Sequence, residues 1–561
     1  MALVVRGFLS GLLVTRGLAS GAAVTSEGLC PDPFSASVSS VKPDPFSASV
    51  LPDDCGDPFS ASMVLGARLA ASGGGGGGPP GGSDTFGLGA TMDFANYFAA
   101  DQMFTDMMVC ASRRFEPPYA QVIVCREGYA RPGQYVITSQ GKGTVRLNER
   151  DIPGGFGAYT FTGAGEQYTF DIVHGRGTIE SGTYRMRLQV LSYDAADPLR
   201  DLQIYPSGYD PDTQIVFPDF LAGVTGCYAL RSLHFYNIEG NDRGGIETGW
   251  STAEPWKWVK FFELCNAANS RPWICIPHQA TADYCRNLGE LAAETLDPGL
   301  LPLLEYSNEI WNWAYPYAVQ TAWVRDEGMK IGIGDFRKAY AHFAMRCFDP
   351  FEQGYGSPCT RVLSGHHVNL YSITASIAYC RANGHRFDAI GGAPYVNPAV
   401  MPWAAIEAAW DADDLDEVEA LVRDTMIADI AAKHEPLFKQ WKALADSEGV
   451  ELHAYESGQG IIWGPAKDDP DPTARIEFLD QVGKYTQRSE GMGEVVTQLY
   501  ETMSLYYNGA MQTGYIGDFG VTNGVYAGRK NVQFFGLKEW LDDDDTPKFQ
   551  AFRSLVERWA T

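Results

Sequence analysis

The chain has no long hydrophobic run and comparatively few positive charges. Among its 561 residues, no stretch approaches the roughly 20 consecutive apolar residues of a membrane-spanning helix. Lys and Arg number 43 against 69 Asp and Glu, which gives a formal net charge of -26, and the basic residues are not clustered. Because nucleic acids and anionic membranes are bound through clustered Lys and Arg, we expect no nucleic-acid partner and no membrane span.

Patterns typical of metal, disulfide and phosphate chemistry are also missing. The 11 cysteines are an odd number without a paired CxxC spacing, so we interpret most of them as buried thiols. His366 and His367 have no third ligand at a suitable spacing, and Asp542 to Asp545 is typical of a solvated turn. No Gly-rich phosphate loop or nucleophile-elbow serine stands out. We therefore predict no metal and no cofactor.

The first 72 residues contain two internal repeats. One peptide recurs within residues 1–23, and a second, with an Asp-Pro start and a Phe anchor, begins at Asp32, Asp44 and Asp57. Copies this short cannot bury a core alone. Two interpretations stay open: residues 1–72 dock on the barrel, a sister subunit or a virion assembly, or they form a low-complexity tail.

Residues 1–23 have only some features of a secretory signal. Arg6 precedes a short apolar run, but Arg16 interrupts it and the repeat is not what a signal peptide needs. The signal is therefore unconvincing, and a virion-associated or extracellular location is favoured. Residues 73–83, almost all Gly with two Pro, predict a flexible linker.

The remaining chain predicts an α/β fold with an interruption. Residues 84–119 have the content of a first barrel strand and its helix, and residues 206–561 alternate between strand and helix patterns. Between them, residues 120–205 alternate with period two and have turns about every 10 residues, as in an antiparallel sandwich. We predict a (β/α)8 TIM barrel with an inserted β-sandwich and a repeat-containing, Gly-linked N-terminal segment.

Several barrel elements can be located individually. Tyr284 to Leu296 predicts an amphipathic helix, Trp403 to Ser447 a mostly helical insertion before strand 7, and Pro547 to Trp559 a closing helix. Strand 4 begins at Leu303, and strand 7 ends at Glu456. For strand 8, Asn531 to Leu537 is the best candidate.

Two of these strands present a carboxylate where they end. Strand 4 becomes abruptly polar at Ser307-Asn308-Glu309, and Glu456 ends strand 7. In a (β/α)8 barrel reacting groups lie at the C-terminal strand ends, and glycosidases use a pair of carboxylates there. For either Glu alone, an ordinary strand-end salt bridge is the alternative.

The string Glu305 to Asn312, EYSNEIWN, resembles a branch of the clan A glycoside hydrolases, and the resemblance covers about two thirds of the chain. It implies that Glu309 is the acid/base and Glu456 the nucleophile of a retaining glycosidase. We expect Glu309 to hold its proton near neutral pH and Glu456 to be ionised. The resemblance says little about the substrate, and the partner that we expect is a polysaccharide or cell-envelope glycan.

The resemblance also assigns residues around the pair. It implies that Asn308 holds the sugar 2-hydroxyl, that Arg231 and Tyr395 donate hydrogen bonds to the nucleophile, and that His278 lies nearby. For Asn308 the alternative is a helix cap, and for the others a structural ion pair or a core position. The residues that could stack on sugar rings, or simply pack, are Trp311, Trp313 and Trp540.

Three hypotheses for the function remain. The chain is an active retaining glycosidase, a phage tail or other virion adhesion protein whose barrel has weak or no activity, or a carbohydrate-binding pseudoenzyme. The repeats and the linker favour a virion context, whereas the intact Glu pair favours retained chemistry. The sugar, the linkage and endo or exo action do not follow from the sequence.

Overall fold

The computed structural model describes most of the chain after residue 85. The described ranges are 86–92, 103–111, 121–126, 131–149, 156–173, 184–233, 255–314, 317–398, 400–459, 462–463, 472–516, 520–526, 529–533, 535–541 and 543–560. The predicted N-terminal repeats and the linker lie outside them.

The described part starts with strand β1 (Gly87–Thr91) and then enters an antiparallel unit. Its strands are β2 (Gln121–Arg126), β3 (Gly133–Gln140), β4 (Gly143–Glu149), β5 (Gly157–Phe161), β6 (Gln167–Ile172), β7 (Tyr184–Tyr193) and β8 (Arg200–Pro206). Strands β2-β7-β4-β5 form one sheet and β6-β3-β8 the other. Side chains from both sheets, among them Val145, Leu188, Ile137 and Ile204, share one core. The predicted β-sandwich is confirmed.

The chain then returns to parallel pairing. The remaining strands are β9 (Ala229–Arg231), β10 (Arg271–Ile276), β11 (Leu303–Tyr306), β12 (Thr360–Ser364), β13 (Ala389–Gly392), β14 (Tyr395–Val396), β15 (Glu451–Gln459), β16 (Ile462–Trp463), β17 (Gly509–Gln512), β18 (Gly520–Tyr526) and β19 (Arg529–Gln533). Eight strands pair in parallel in the order β1-β9-β10-β11-β12-β13-β15-β17, and β17 pairs with β1 to close the ring. This is the predicted (β/α)8 barrel.

The helices surround this ring. They are α1 (Pro218–Val224), α2 (Pro255–Ala268), α3 (Ala282–Thr295), α4 (Ala318–Lys330), α5 (Phe336–Tyr355), α6 (Tyr371–Asn383), α7 (Trp403–Asp411), α8 (Leu415–Asp429), α9 (Glu435–Glu448), α10 (Pro472–Gln487), α11 (Glu490–Ser504) and α12 (Pro547–Trp559). Helix α3 begins where Thr281 accepts a hydrogen bond from the Tyr284 amide, and Leu288 is buried on its inner face. The predicted amphipathic, insertion and closing helices are confirmed by α3, by α7 to α9 and by α12.

Two apolar layers hold the barrel together. Inside the ring, side chains from alternate positions of the strands form a small core that includes Trp273, Leu303, Tyr455 and Met511. Outside it, strand residues such as Ile274 and Leu304 pack with the helices in the main core. The inner layer supports the C-terminal mouth, where the polar strand ends lie.

The prediction of strand 8 was wrong. The ring is closed by β17, whereas Asn531 to Gln533 belongs to β19 in a small antiparallel sheet with β16 and β18. The sequence Gly-Ala-Met-Gln has little intrinsic strand preference. A Cβ on Gly509 would lie 2.9 Å from His453 and 3.0 Å from Tyr228, so the neighbouring aromatic rings require a small residue in this strand.

The predicted first strand within residues 84–119 is β1, whereas the helix expected after it falls largely outside the described residues. Described residues 103–111 contain a bridge at Phe104 and a 3-10 turn at Met107–Cys110, and the first described α-helix, α1, follows the sandwich. Met107 and Met108 are buried in the sandwich core, which accounts for the apolar character of the segment.

The chain enters and leaves the sandwich through a two-stranded neck. The Thr105 amide donates to the Ile215 carbonyl at 3.2 Å, and the Phe217 amide donates to the Met103 carbonyl at 3.0 Å. Phe104 and Val216 form an antiparallel bridge between these bonds. The two ends of the insertion therefore lie side by side next to the barrel.

The nine cysteines within the described ranges are all buried and form no disulfide with one another, which agrees with their interpretation as thiols. Of the helices that the structure describes, none combines the length and the apolarity that crossing a membrane requires.

Candidate active site

The backbone turns sharply where β11 ends. Ser307 and Glu309 both adopt positive φ angles, of 59° and 46°, which non-glycine residues rarely occupy. Each such residue costs on the order of 1–3 kcal/mol and persists only where surrounding contacts hold it. The turn carries Asn308 and Glu309 at the barrel mouth, directly after the buried strand.

Helix α4 holds this turn in place. Gln320 accepts a hydrogen bond from the Ser307 hydroxyl at 2.9 Å and donates one to the Asn308 carbonyl. The Thr321 hydroxyl donates to the Asn312 carbonyl at 2.8 Å. Gln320 is fully buried, so these bonds are shielded from water and fix the strained conformation.

Arg231 at the end of β9 links three side chains of the site. Its Nε donates to Glu305 Oε2 at 2.9 Å, Nη1 to Glu456 Oε1 at 2.7 Å and Nη2 to Asn308 Oδ1 at 2.9 Å. The guanidinium is fully buried and lies 5.3 Å from the centroid of the Tyr455 ring. Burial opposes its charge, but the neighbouring Glu305 and Glu456 carboxylates raise the pKa of Arg231 well above its usual value.

Glu305 is a buried carboxylate beneath the mouth. Besides Arg231, it accepts hydrogen bonds from Trp273 Nε1 and the Ser364 hydroxyl, both at 2.8 Å. A buried charge is tolerated only when it is paired and hydrogen-bonded, and Glu305 meets both conditions. It therefore positions the guanidinium from below.

Glu456 lies in β15 with both carboxylate oxygens bonded. Oε1 accepts from Arg231, and Oε2 accepts from the Tyr395 hydroxyl at 2.7 Å. The Tyr395 hydroxyl also lies 3.0 Å from Thr513 Oγ1. The pairing of β15 with β17 shifts register between Ala454 and Ser457, and such irregularities re-aim a side chain next to a site.

Glu309 is the second carboxylate at the mouth, with 9% of its surface exposed. Its Oε2 accepts a hydrogen bond from Asn312 Nδ2 at 2.9 Å. Burial raises the pKa of Tyr395 and of Tyr455 well above the usual value, and the charges of both Glu309 and Glu456 add to this rise. Both carboxylates thus act on the same two phenols, although their residues are far apart in the sequence.

His278 belongs to a different environment from the Glu pair. Its described contacts are an edge-on ring contact with Trp323 at 5.4 Å and the hydrogen bond that its carbonyl accepts from the Tyr306 hydroxyl. Trp323 lies on α4, and Tyr306 packs in the core between the strands and the helices. These contacts lie on the flank of the barrel. They do not support the expectation that His278 lies beside Glu309 and Glu456.

The three predicted stacking tryptophans differ in their surroundings. Trp311 stacks on the His366 ring at 4.1 Å and donates to the Tyr455 hydroxyl at 3.1 Å, so packing already uses part of its surface. Trp313 is 38% exposed beside Arg325 and Phe336. Trp540 is half-buried and lies in the segment of the chain that connects β19 to α12.

Sequence reasoning missed the supporting residues, which are Glu305, Trp273, Ser364, Tyr455, Gln320 and Thr513. One signal was available. Glu305 alternates with the inward-facing Leu303, and a charged residue at an inward strand position needs a buried partner. Within the described ranges no group of three His, Cys, Asp or Glu residues could hold a metal ion.

No protein-family model matches the chain, and no curated protein matches its sequence. Solved structures with which it aligns include xylanase B from Clostridium stercorarium F9, at 9% identity and a TM-score of 0.33, covering 61% of this chain and 94% of that one. A protein described as GH10 from Paenibacillus barcinonensis aligns at 13% identity and a TM-score of 0.33, covering 59% and 88%. Penicillium canescens endo-1,4-beta-xylanase aligns at 10% identity and a TM-score of 0.30, covering 63% and 92%.

The strand order, rather than these distant likenesses, establishes the architecture. The chain contains a closed (β/α)8 barrel, in which β17 pairs with β1.

Proposed function

We propose that the protein is a retaining glycoside hydrolase that acts on a polysaccharide or a cell-envelope glycan. The observation that carries the proposal is the buried Arg231 fork, which joins Glu456 on β15 to Asn308, the residue preceding Glu309 on the strained turn after β11. A carboxylate oriented by two donors, at the same barrel mouth as a second carboxylate, supplies the two groups that a double displacement uses.

In this mechanism Glu456 is the nucleophile. One of its oxygens attacks the anomeric carbon and forms a covalent bond while the bond to the leaving oxygen breaks. The Arg231 guanidinium and the Tyr395 hydroxyl hold the carboxylate in one orientation, so little reorganisation is needed before attack. Water then cleaves the glycosyl-enzyme bond in the second step.

Glu309 is the general acid and then the base. Its proton passes to the leaving oxygen in the first step, and in the second step it takes a proton from the attacking water. Asn308 is oriented by the bond from Arg231 to its Oδ1, so its amide nitrogen is the end that would meet a sugar hydroxyl. Hydrogen bonds to the 2-hydroxyl strengthen as the oxocarbenium-like transition state forms.

The experiment is hydrolysis of a panel of aryl glycosides and purified glycans by the wild type, Glu309→Ala and Glu456→Ala. Glu451→Ala is the matched control, because Glu451 lies at the opposite end of the same strand as Glu456. Both site variants should lose activity by at least about 10³-fold, and the control should retain most of it. Azide should rescue Glu456→Ala and yield a glycosyl azide of inverted configuration.

Two outcomes would count against this function. Full activity in either site variant would remove that carboxylate from the mechanism, and a rescue product of retained configuration would contradict the nucleophile assignment. An inert wild type that still binds glycans would favour the alternative, a virion adhesion protein or a pseudoenzyme with a glycosidase-like barrel. That alternative rests mainly on residues 1–83, which lie outside the described ranges.

A further inference from the structure

A second polar cavity lies on the flank of the barrel. We call it the flank cavity; its volume is about 660 Å³, and it lies between the loop after β10 and helices α3, α4 and α5. The lining residues that matter for its chemistry are Gln279, Asn287, Trp323, Phe343 and Arg346. Glu309 and Glu456 do not line it.

Gln279 provides an unsatisfied polar group in this cavity. Its side chain is only 4% exposed, and its Oε1 has no hydrogen-bond partner within the described structure. A buried amide oxygen without a partner costs on the order of 1–3 kcal/mol. A ligand hydroxyl would remove this cost, and the Asn287 amide on α3 offers a second group of the same kind.

Two aromatic rings form an apolar wall of the cavity. Trp323 and Phe343 have ring centroids 5.3 Å apart, and the Trp323 ring is only partly buried. Pyranose rings present C–H faces that pack on aromatic surfaces, while their hydroxyls bind amides. Amides and aromatic rings in the lining of one cavity therefore favour a sugar ring over a purely apolar ligand.

Arg346 adds a positive charge. It is exposed, lies 5.8 Å from the centroid of the Phe343 ring and makes no ion pair within the described ranges. The acid that also lines the cavity, Asp283, already pairs with Arg286 at 2.9 Å. The first amides of α3 face the same region, and a helix N-terminus favours an anionic group.

We propose that the flank cavity is an accessory binding site for one acidic pyranoside, a uronic acid residue of a glycan. Arg346 binds the carboxylate, Gln279 and Asn287 bind hydroxyls, and Trp323 packs on the ring. The site is separate from the Glu pair, so its occupancy does not require the proposed hydrolysis. It would attach the protein to acidic glycans independently of cleavage.

The test is calorimetric and NMR titration of the full chain with glucuronic and galacturonic acid, and with glucose and galactose as neutral counterparts. We expect the uronic acids to bind at least about tenfold more tightly than the neutral sugars. Arg346→Met should abolish this preference, and Gln279→Ala should weaken binding of all four sugars. Lys338→Met is the matched control, because Lys338 is an exposed cation on α5, the helix that carries Arg346, and lies outside the lining; it should bind as the wild type does.

The outcomes separate this site from the proposed active site. Unchanged binding in Glu309→Ala and Glu456→Ala supports a separate cavity, whatever their hydrolytic activity. Four results would each overturn the proposal. They are loss of binding in those two variants, equal affinity for the neutral sugars, no effect of Arg346→Met, and no binding by the wild type. Because Arg346 is exposed, its replacement is not expected to prevent folding.

Discussion

At the scale of single residues, the fork of Arg231 determines how the other side chains of the mouth are arranged. Its three nitrogens each meet a different oxygen acceptor, on Glu305, Glu456 and Asn308. A lysine ammonium is a point charge on a flexible stem and cannot reproduce this planar set of donors. The geometry of the site therefore depends on guanidinium shape as well as on charge.

We expect Arg231→Lys to lower kcat/KM by about 10²-fold or more, because Glu456 and Asn308 lose their common donor. Unfolding free energy should also fall, by about 1–3 kcal/mol, because buried acceptors lose hydrogen bonds. Kinetics on the best substrate of the panel and thermal unfolding would measure both effects.

Arg271→Lys is the matched control for this change. Arg271 is another barrel arginine with three described acceptors, the Leu301 carbonyl, the Tyr228 hydroxyl and the Thr360 hydroxyl, but it lies at the start of β10. It should lose stability and keep most of its activity. Equal losses of activity in the two variants would show that Arg231 acts only through folding.

The sequence predicts part of this site and misses the rest for a physical reason. Arg231, Asn308, Tyr395 and Glu456 were expected together, and hydrogen bonds join them. His278 was expected there as well, but its described contacts lie on the flank. His278 lies two residues after the end of β10, and spacing alone does not determine which side of the barrel wall a side chain faces.

At the scale of secondary-structure elements, helices α3 and α5 approach each other unusually closely. A Cβ on Gly289 would lie 2.1 Å from the Phe351 carbonyl oxygen, and one on Gly354 would lie 2.0 Å from the Arg286 carbonyl oxygen. Both obstacles are backbone atoms, so a side chain can be accommodated only if the helices separate.

Gly354→Ala should therefore destabilise the protein by about 3 kcal/mol, at the upper end of typical overpacking costs. Thermal unfolding would measure this loss. Gly334→Ala is the matched control, because a Cβ there meets nothing within 4 Å, and it should be close to neutral. A neutral Gly354→Ala would mean that the two helices are farther apart than described.

The buried carboxyl group of Asp106, at the start of the sandwich, makes the stability of the protein depend on pH. Burial raises its pKa from 3.8 to about 6, although amide hydrogen bonds from Met108 and Ile204 and the charge of Lys260 oppose the rise. Because the folded protein holds this proton where the unfolded chain has lost it, stability falls as pH rises from 3.8 to about 6 and then stays level.

Asp106→Asn should remove this pH dependence. Both amides donate to Oδ1, which an asparagine retains, so the variant should gain stability relative to the wild type between pH 4 and 7. Asp335→Asn provides a control of opposite sign. Burial alone would raise the pKa of Asp335, but hydrogen bonds from Arg337 outweigh it and lower this pKa below 3.8. The Asp335 carboxylate therefore stabilises the fold above the unfolded pKa, and this stabilisation is lost as the pH falls through the folded pKa. Thermal midpoints measured from below pH 3.8 up to pH 7 would reveal a wrong sign in either case.

Elements with a strong periodic pattern of apolar residues were predictable from the sequence. Elements whose residues are determined by contacts with segments far away in the sequence were not. Helix α12 begins at Pro547 and ends at Trp559, as the sequence predicts. Strand β17 was missed because the neighbouring rings of Tyr228, just before β9, and His453, in β15, require a small residue at Gly509. A local pattern therefore favoured the more β-prone segment at Asn531, which forms a hairpin instead.

At the scale of the whole molecule, the neck makes the sandwich a removable unit. The Met103–Thr105 and Ile215–Phe217 segments are already paired as in a hairpin. Replacing residues 106–214 by Asn-Gly, a dipeptide that suits a two-residue hairpin turn, should leave a folded barrel. Sharp cooperative unfolding and near-ultraviolet circular dichroism would test this.

The shortened chain loses the Arg131 to Asp219 ion pair and also Val109 and Cys110, which are buried in the main core. The partly exposed pair contributes only about 0–1 kcal/mol, whereas a fully buried apolar side chain such as Val contributes about 1.5–3 kcal/mol, so the shortened protein should remain folded with reduced stability. The same chain with Gly-Gly at the turn provides the control, since it tests whether the turn sequence limits folding. Aggregation of both would show that the barrel core needs the sandwich.

Ring closure also has a consequence for the time course of synthesis. Strand β1 pairs with β9 on one side and with β17 on the other. The first barrel strand to be synthesised therefore cannot complete its pairing until the last one has left the ribosome. Until Gly509 to Gln512 has emerged, the ring has a gap between β15 and β1, and Thr513 is not available to Tyr395. A chain interrupted before that point would expose two unpaired strand edges, which makes it a target for chaperones and proteases.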